Sequence, residues 1–189
     1  MAGVDEAGRG ALAGPLLVAA VVLPPDFHLE GLDDSKKVPP KRRQLLAREI
    51  TRKAISFAVV RREPEEIDRL NVFRATQDAI RQAVFALDPP PACVVSDAVP
   101  LEGLLLPVVV ETRADAQYLC VAAASVLAKV ARDAIMEQLH ESFPEFDWCR
   151  NKGYPTPGHL AALARRGASP WHRRSYAPLR MLGFKKEFC

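Results

Sequence analysis

Gly3 to Pro15, GVDEAGRGALAGP, sets two acids directly against a glycine-rich loop. Asp5 and Glu6 are adjacent, glycines follow at positions 8, 10 and 14, and a single arginine, Arg9, lies among them. Glycine permits positive φ and lets another molecule come close to backbone N–H groups. Adjacent carboxylates suit a hard divalent cation, and exposed amides beside an arginine suit a phosphate or a sugar hydroxyl. An acidic strand end followed by a flexible loop would look the same, so the weight of the motif depends on partners elsewhere in the chain.

Working outward, Met1–Asp5 and Leu16–Leu23 read as two strands joined by the loop into a hairpin. Leu16–Leu23, LLVAAVVL, does not fit a signal-peptide core: acids precede it where positive charge is needed, and Pro24-Pro25 follow without a clear small-residue cleavage site. It is also far shorter than the ~20 residues that span a bilayer. A buried strand and no membrane association are expected.

Gly31–Val38, GLDDSKKV, is a polar turn in which Ser35 could cap a helix starting at about Lys41, marked by Leu45, Leu46, Ile50 and Ala54. Ile55–Val60 reads as a third strand. Pro64 then opens a helix carried by Ile67, Leu70, Phe73, Ile80 and Val84 to about Leu87. Pro89-Pro90-Pro91 forces an extended entry into Ala92–Asp97, a short apolar run ending on an acid. Pro107–Thr112 is the fifth strand, with Arg113-Ala114-Asp115 after it. Ala116 to about Ser142 is the longest helix, its Ala122-Ala123-Ala124-Ser125 segment small enough to pack closely on a sheet. A short helix is expected near His159–Arg165. Strands first, then strands alternating with helices, predict an α/β fold with a layered sheet of mixed direction.

At 189 residues, with nearly half of them apolar, the chain is one domain or one domain with a small appendage, and disorder is excluded. Cys93, Cys120, Cys149 and Cys189 contain no C-x-x-C pair, which argues against a zinc site and for reduced thiols in a cytoplasmic protein. The net charge of +3 is unevenly spread: residues 150–189 hold nine Lys or Arg against Glu187 alone, and residues 1–149 sum to −5. A basic quarter on an acidic body points to a polyanion partner.

The acids that end strands carry the chemistry. Asp5 and Glu6 follow the first strand, Asp97 ends the fourth, and Asp115 follows the fifth. If those strands are neighbours, four carboxylates converge at one sheet edge, too repulsive at neutral pH to stand without a cation. An all-oxygen set with no His or Cys nearby in sequence favours Mg²⁺ or Mn²⁺. Successive strand residues point to opposite faces, so Asp5 and Glu6 share a site only if the strand bends or ends, which Ala7-Gly8 allows. Taken alone, Asp97 could be a turn residue and Asp115 the N-cap of the long helix.

Six blocks in order, GVDEAGRGALAGP at 3–15, LDDSKK at 32–37, IDRLNVFRAT at 67–76, AAASVLAKVARD at 122–133, NKGYPTPGH at 151–159 and HRRSY at 172–176, resemble ribonuclease HII over essentially the whole chain. The resemblance implies a ribonuclease H-like mixed sheet flanked by helices, with a catalytic domain over 1–140 and a small basic C-terminal helical segment over 141–189 that completes substrate binding. It implies that Asp5, Glu6, Asp97 and Asp115 hold Mg²⁺ or Mn²⁺, two ions during catalysis; the 18-residue separation of Asp97 and Asp115 fits the family pattern. It further implies that Gly8, Arg9, Gly10 and Tyr154 read the ribonucleotide at an RNA–DNA junction. Testing a 2′-hydroxyl is how a protein tells RNA from DNA at one position. Ser35, Lys36, Lys37, Lys129, Arg132 and the basic quarter would hold phosphates, which position a duplex without reading it. For Lys129 and Arg132 the residues alone equally allow a solvated helix face. His159 and His172 are too isolated in sequence to suggest a role unaided.

The implied partners are RNA/DNA hybrids and duplex DNA with embedded ribonucleotides, cut 5′ to the ribonucleotide, by a monomer. Two positions depart from the family pattern: Ala98 and Ala114 stand where it usually has glycine, and both bear on the local backbone of the metal site. The chain starts almost on its first motif, which argues against the related type HIII enzymes with their additional N-terminal domain. Two other readings remain open: a DNA-processing nuclease or transferase of the same superfamily, and a hybrid-binding module without turnover.

Overall fold

The glycine loop joins β1 (Ala2–Ala7) to β2 (Leu16–Val22) in the expected antiparallel hairpin. In this computed structural model, which describes residues 1–32 and 38–183, the chain continues through α1 (Pro40–Lys53) and β3 (Ser56–Arg62), the latter antiparallel to β2. α2 (Pro64–Leu70) and α3 (Val72–Phe85) lead to β4 (Val94–Asp97) and β5 (Val108–Glu111). β4 lies parallel to β1, and β5 parallel to β4, giving a mixed sheet of order β3-β2-β1-β4-β5. The long α4 (Leu119–Ser142) follows a 3₁₀ turn at Ala114–Ala116. The short α5 (Trp148–Asn151), α6 (Pro157–Arg166) and α7 (Ala177–Met181) end the described chain.

β2 is apolar at every position because both its faces are covered. Val18, Ala20 and Val22 join Ala2 and Val4 against Ala79, Ile80, Ala83 and Val84 of α3. Ala19 and Val21 join Ala7 on the other face, against Ala123, Ala124, Val126, Leu127 and Ala128 of α4 and Leu46, Ala47 and Ile50 of α1. The alanine run expected to pack closely does so, and β1 answers it with Gly3: a Cβ there would lie 2.3 Å from the Cys120 carbonyl carbon. No side chain fits between the first strand and α4 at this position.

Two boundaries differ from the sequence expectation. The single helix expected from Pro64 to Leu87 is broken at Asn71, which has φ 68° and whose side chain accepts from the Arg74 amide to start α3. Asparagine is among the few residues that take this conformation readily, and its side chain supplies the cap. The long helix begins at Leu119 instead of Ala116, after the 3₁₀ turn. Asp115 is inside that turn and is not the N-cap of α4, a position held by Tyr118.

The C-terminal elements wrap the hairpin loop. Leu12 N–H donates to the Gly153 carbonyl (2.8 Å), Gly14 N–H to Trp171 (2.9 Å), and Arg173 N–H to Leu12 (2.8 Å). Beneath them Ala13, Met136, Phe146, Trp148 and Ala162 form their own buried cluster.

Candidate active site

Because β1, β4 and β5 are parallel neighbours, their C-terminal ends open on one sheet edge. The β1–β4 ladder stops at Val4–Ser96, and Asp5 and Asp97 are the next residue on each strand. Both occupy the α4 face, by alternation with Val4 and Ser96. Asp97 pairs with Glu111 of β5, and its Oδ1 accepts from the Ala114 amide at 3.2 Å. That bond ties the turn carrying Asp115 to the end of β4. β1 ends at Ala7, one residue past Glu6, and Gly8 turns away with φ +93°.

Asp5 is the electrostatic centre of this edge. Its carboxyl is pushed up from 3.8 to about 7, first by burial, then by the neighbouring charge of Glu6, with a smaller contribution from Asp97. Two hydrogen bonds oppose the shift, from the Ser125 side chain of α4 and from the Glu6 amide (2.8 Å to Oδ1). A divalent cation would favour the ionised carboxylate and offset the repulsion from Glu6, and the donor set is all oxygen, so the residues fit Mg²⁺ or Mn²⁺. Glu6 also pairs with Arg9 at 3.6 Å, a cation that partly offsets its charge.

The glycine loop is held from inside by two buried arginines. Arg132 of α4 donates from Nε to the Pro15 carbonyl (3.0 Å), from Nη2 to Ala13 (3.1 Å) and from Nη1 to Lys152 (2.9 Å). Arg173 donates to Gly14 from Nε and Nη2 (3.0 and 2.9 Å), and from Nη1 to Gly8 (2.7 Å) and the Tyr176 hydroxyl (2.9 Å). Burial lowers the pKa of both guanidiniums, Arg132 to about 10, and arginine is not deprotonated in proteins. The loop's carbonyls are thus drawn inward onto two positive charges. No backbone acceptor among the described residues meets the amides of Arg9 or Gly10.

This corrects the expectation for Arg132. It is fully buried, and its guanidinium is spent on three carbonyls, so it has no surface to offer a phosphate. The helical periodicity placed it on α4 correctly, but the face it occupies is roofed by the loop. Gly8 changes meaning for the same reason: a Cβ there would lie 1.9 Å from Arg132 Nε. Its glycine is required by the arginine beneath it. The basic quarter is corrected in one position too, since Arg173 is fully buried.

Gly10 and Tyr154 are brought together. A Cβ on Gly10 would lie 3.9 Å from Tyr154 Cε1; Tyr154 is 37% exposed, and the Arg132 guanidinium lies 5.4 Å from its ring centre. Lys129 is half-buried: its Nζ meets Asp133 at 2.7 Å, and Asp133 also pairs with Arg43 of α1 at 3.3 Å. Asp133 ties α4 to α1, and Lys129, paired to it within α4, is not on a freely solvated face. Ser35, Lys36 and Lys37 lie outside the described residues.

With this geometry in hand, the sequence profile described as Ribonuclease HII matches residues 2–179. The chain belongs to the ribonuclease HII family. That family comprises metal-dependent hydrolases of phosphodiester bonds. A ribonuclease HII from Anaeromyxobacter sp. (strain Fw109-5) is 48% identical over 180 residues, 95% of this chain and 57% of that protein. The chain therefore spans less than two thirds of that relative's length. Among solved structures, ribonuclease H2 from Pyrococcus horikoshii OT3 superposes with a TM-score of 0.82 at 28% identity, covering 98% of this chain and 99% of the other. The ribonuclease HII in a PCNA complex from Archaeoglobus fulgidus gives 0.78 at 30% identity, over 95% and 96%. The mixed sheet flanked by helices, with its small C-terminal helical segment, is the ribonuclease H-like fold that the family resemblance implied.

Three residues that support the site were missed by sequence reasoning. Ser125 was read as a packing residue of the alanine run, and only the register of α4 on β1 shows it under Asp5. Arg173 looked like one more basic residue in a basic quarter. Asp68 of α2 accepts from the amides of Arg174 (2.8 Å) and Ser175 (2.9 Å), anchoring the segment that carries Arg173. It stands in the quoted block at 67–76, but nothing local marked it.

Proposed function

We propose that this protein is an endoribonuclease that hydrolyses the phosphodiester 5′ to a ribonucleotide, in RNA/DNA hybrids and in duplex DNA with embedded ribonucleotides, leaving 3′-hydroxyl and 5′-phosphate ends. The observation that carries this reading is the meeting of two features at one sheet edge: carboxylates delivered by three parallel strands, and a glycine loop with Tyr154 against it. Asp5, Glu6, Asp97 and Asp115 would hold Mg²⁺ or Mn²⁺ by two-metal-ion catalysis. Bound divalent ions supply charge that makes water a competent nucleophile and stabilises the leaving oxygen.

The chain's own residues do the rest. Asp5 and Asp97, on one face of adjacent strands, set the position of the charge. The amides of Arg9 and Gly10, which meet no backbone acceptor among the described residues, offer donors to a 2′-hydroxyl or phosphate, over a loop made positive by Arg132 and Arg173. The exposed face of Tyr154 offers a platform for a neighbouring sugar. Arg150, Arg165, Arg166 and Arg180 are exposed and would meet the duplex backbone. The protein acts in the cytoplasm as a monomer, a reading supported on the first point by the free thiols of Cys93, Cys120 and Cys149. No helix among the described residues is long and apolar enough to cross a membrane.

The test is a duplex DNA carrying one ribonucleotide, incubated with Mg²⁺ or Mn²⁺ beside an all-DNA control. A single nick 5′ to the ribonucleotide is expected. No nick with either ion, or equal nicking of the control, rejects the proposal.

A further inference from the structure

His159 and His172 meet in the core of the C-terminal segment, Nε2 to Nε2 at 3.1 Å. Both are buried, among Phe146 and Trp148, and belong to none of the groups placed at the sheet edge. Their neighbours decide where the protons sit. His172 Nδ1 faces the Ser169 backbone N–H at 3.0 Å, a group that can only donate, so Nδ1 accepts and the proton is on Nε2. His159 Nε2 faces the Trp148 indole N–H at 3.1 Å, also a donor only, so it accepts and its proton is on Nδ1. His172 Nε2–H then donates to His159 Nε2, and His159 Nδ1–H donates to the Tyr154 carbonyl at 2.9 Å. The Ser169 hydroxyl completes the chain, donating to His172 Nδ1 at 2.9 Å while accepting from the Trp171 amide at 3.2 Å. Each of these ring nitrogens has one role and fills it.

The two ends of this relay are informative. One end is the Tyr154 carbonyl, which also accepts from the Thr156 amide at 2.8 Å, so the residue whose ring lies beside Gly10 is held through its backbone from both directions. The other end is the extended segment at 171–173. There His172 bridges Ala13, and the flanking residues bond Gly14 and Leu12 while Arg173 clamps Gly8 and Gly14. The relay is a direct hydrogen-bonded path from the glycine loop's support to Tyr154.

We propose that His159 and His172 are positioning residues that set Tyr154 against the glycine loop, so that the two halves of the ribonucleotide-reading surface keep one spacing. The inference rests on the proposed ribonuclease reading, and its test separates the two. Two substitutions divide the functions of His159. His159→Asn keeps an N–H donor near Nδ1 for the Tyr154 carbonyl, whereas His159→Gln keeps an acceptor near Nε2 for Trp148 and His172 but loses that donor. On duplex DNA with one ribonucleotide, His159→Gln lowers kcat/KM by about tenfold, the scale expected of a misplaced substrate contact. His159→Asn stays within about threefold of wild type.

In a Tyr154→Ala background the His159→Gln effect shrinks to less than about twofold, because the two act through one contact. A general loss of structure would lower activity equally in both backgrounds, and that result, or no effect of His159→Gln, overturns the proposal. So does an inert Tyr154→Ala. If His159→Gln does not fold, Ser169→Ala, which removes the hydroxyl that donates to His172 and accepts from the Trp171 amide, carries the same cycle. Independently of activity, nitrogen NMR of the wild-type protein should find His159 neutral with its proton on Nδ1 and His172 neutral with its proton on Nε2. The opposite tautomers break the relay. A wild-type protein that nicks no ribonucleotide rejects the ribonuclease reading and the positioning role with it, whereas a wild type that nicks but shows the opposite tautomers, or an undiminished His159→Gln effect in Tyr154→Ala, rejects the positioning role alone.

Discussion

Asp5→Asn should stabilise the protein in the absence of metal while removing its response to metal. The Asp5 carboxyl is raised from 3.8 to about 7 by burial and by Glu6. A shift of about three units at about 1.4 kcal/mol per unit amounts to about 4 kcal/mol. Asp5 is only partly buried at the sheet edge, and solvent screening reduces this to about 2 kcal/mol. The sign follows from proton uptake: the folded state holds its proton more tightly than the unfolded chain, so stability is lost as pH rises from about 4 to about 7. Asparagine removes the ionisation but keeps an oxygen to accept from Ser125 and from the Glu6 amide. In EDTA at pH 8 the variant should melt about 4–8 °C above wild type. At pH 4.5, where the penalty is mostly absent, the gain should fall below about 1 kcal/mol. Added Mg²⁺ should raise the wild-type Tm and leave the variant nearly unmoved, and the variant should not nick a ribonucleotide-containing duplex. An unchanged or lower Tm in EDTA at pH 8, or a gain of the same size at pH 4.5, refutes the reasoning about burial and repulsion. An equal Mg²⁺ shift in both proteins refutes the place given to Asp5 in the metal site.

Gly8→Ala, with its Cβ 1.9 Å from Arg132 Nε and φ at +93°, should cost about 3 kcal/mol in urea denaturation, and a cost under about 0.5 kcal/mol would contradict the packing of Arg132 under the loop. Ala98 sits at φ 54°, a left-handed conformation that costs an alanine about 1 kcal/mol or more. Ala98→Gly should therefore raise stability by about 0.5 kcal/mol after the extra freedom of glycine in the unfolded chain is counted, and thermal melts would show a loss if that backbone were not strained. His172 is pushed down to about 3 by burial and by His159, so its neutral form stabilises the fold above the unfolded value near 6.5 and the contribution is lost as pH falls below it. Between pH 7.5 and 5 the stability difference between wild type and His172→Asn should shrink by about 2 kcal/mol, and an unchanged difference would show that His172 is not held neutral.

The chain alone determined a good deal of this protein. Apolar runs bounded by glycine, proline and polar turns located β1, β2, β3, β4 and β5 to within a few residues, and the acids at strand ends marked the sheet edge ahead of any strand pairing. This was legible because burial on both faces of β2, or under one helix, imposes its pattern on consecutive residues. The split at Asn71 and the late start of α4 were not legible, because each turns on a single backbone conformation that other contacts select. What only the tertiary structure decided is the role of charges and glycines whose partners are more than a hundred residues away. Arg132 lies 117 residues from Pro15, and Arg173 lies 165 from Gly8, so no local pattern separates these buried arginines from the exposed ones beside them. A guanidinium facing water and one facing a carbonyl cage have the same sequence signature. The difference arises only when the glycine loop folds over α4, removes solvent from both cations, and leaves the loop's own carbonyls as their acceptors.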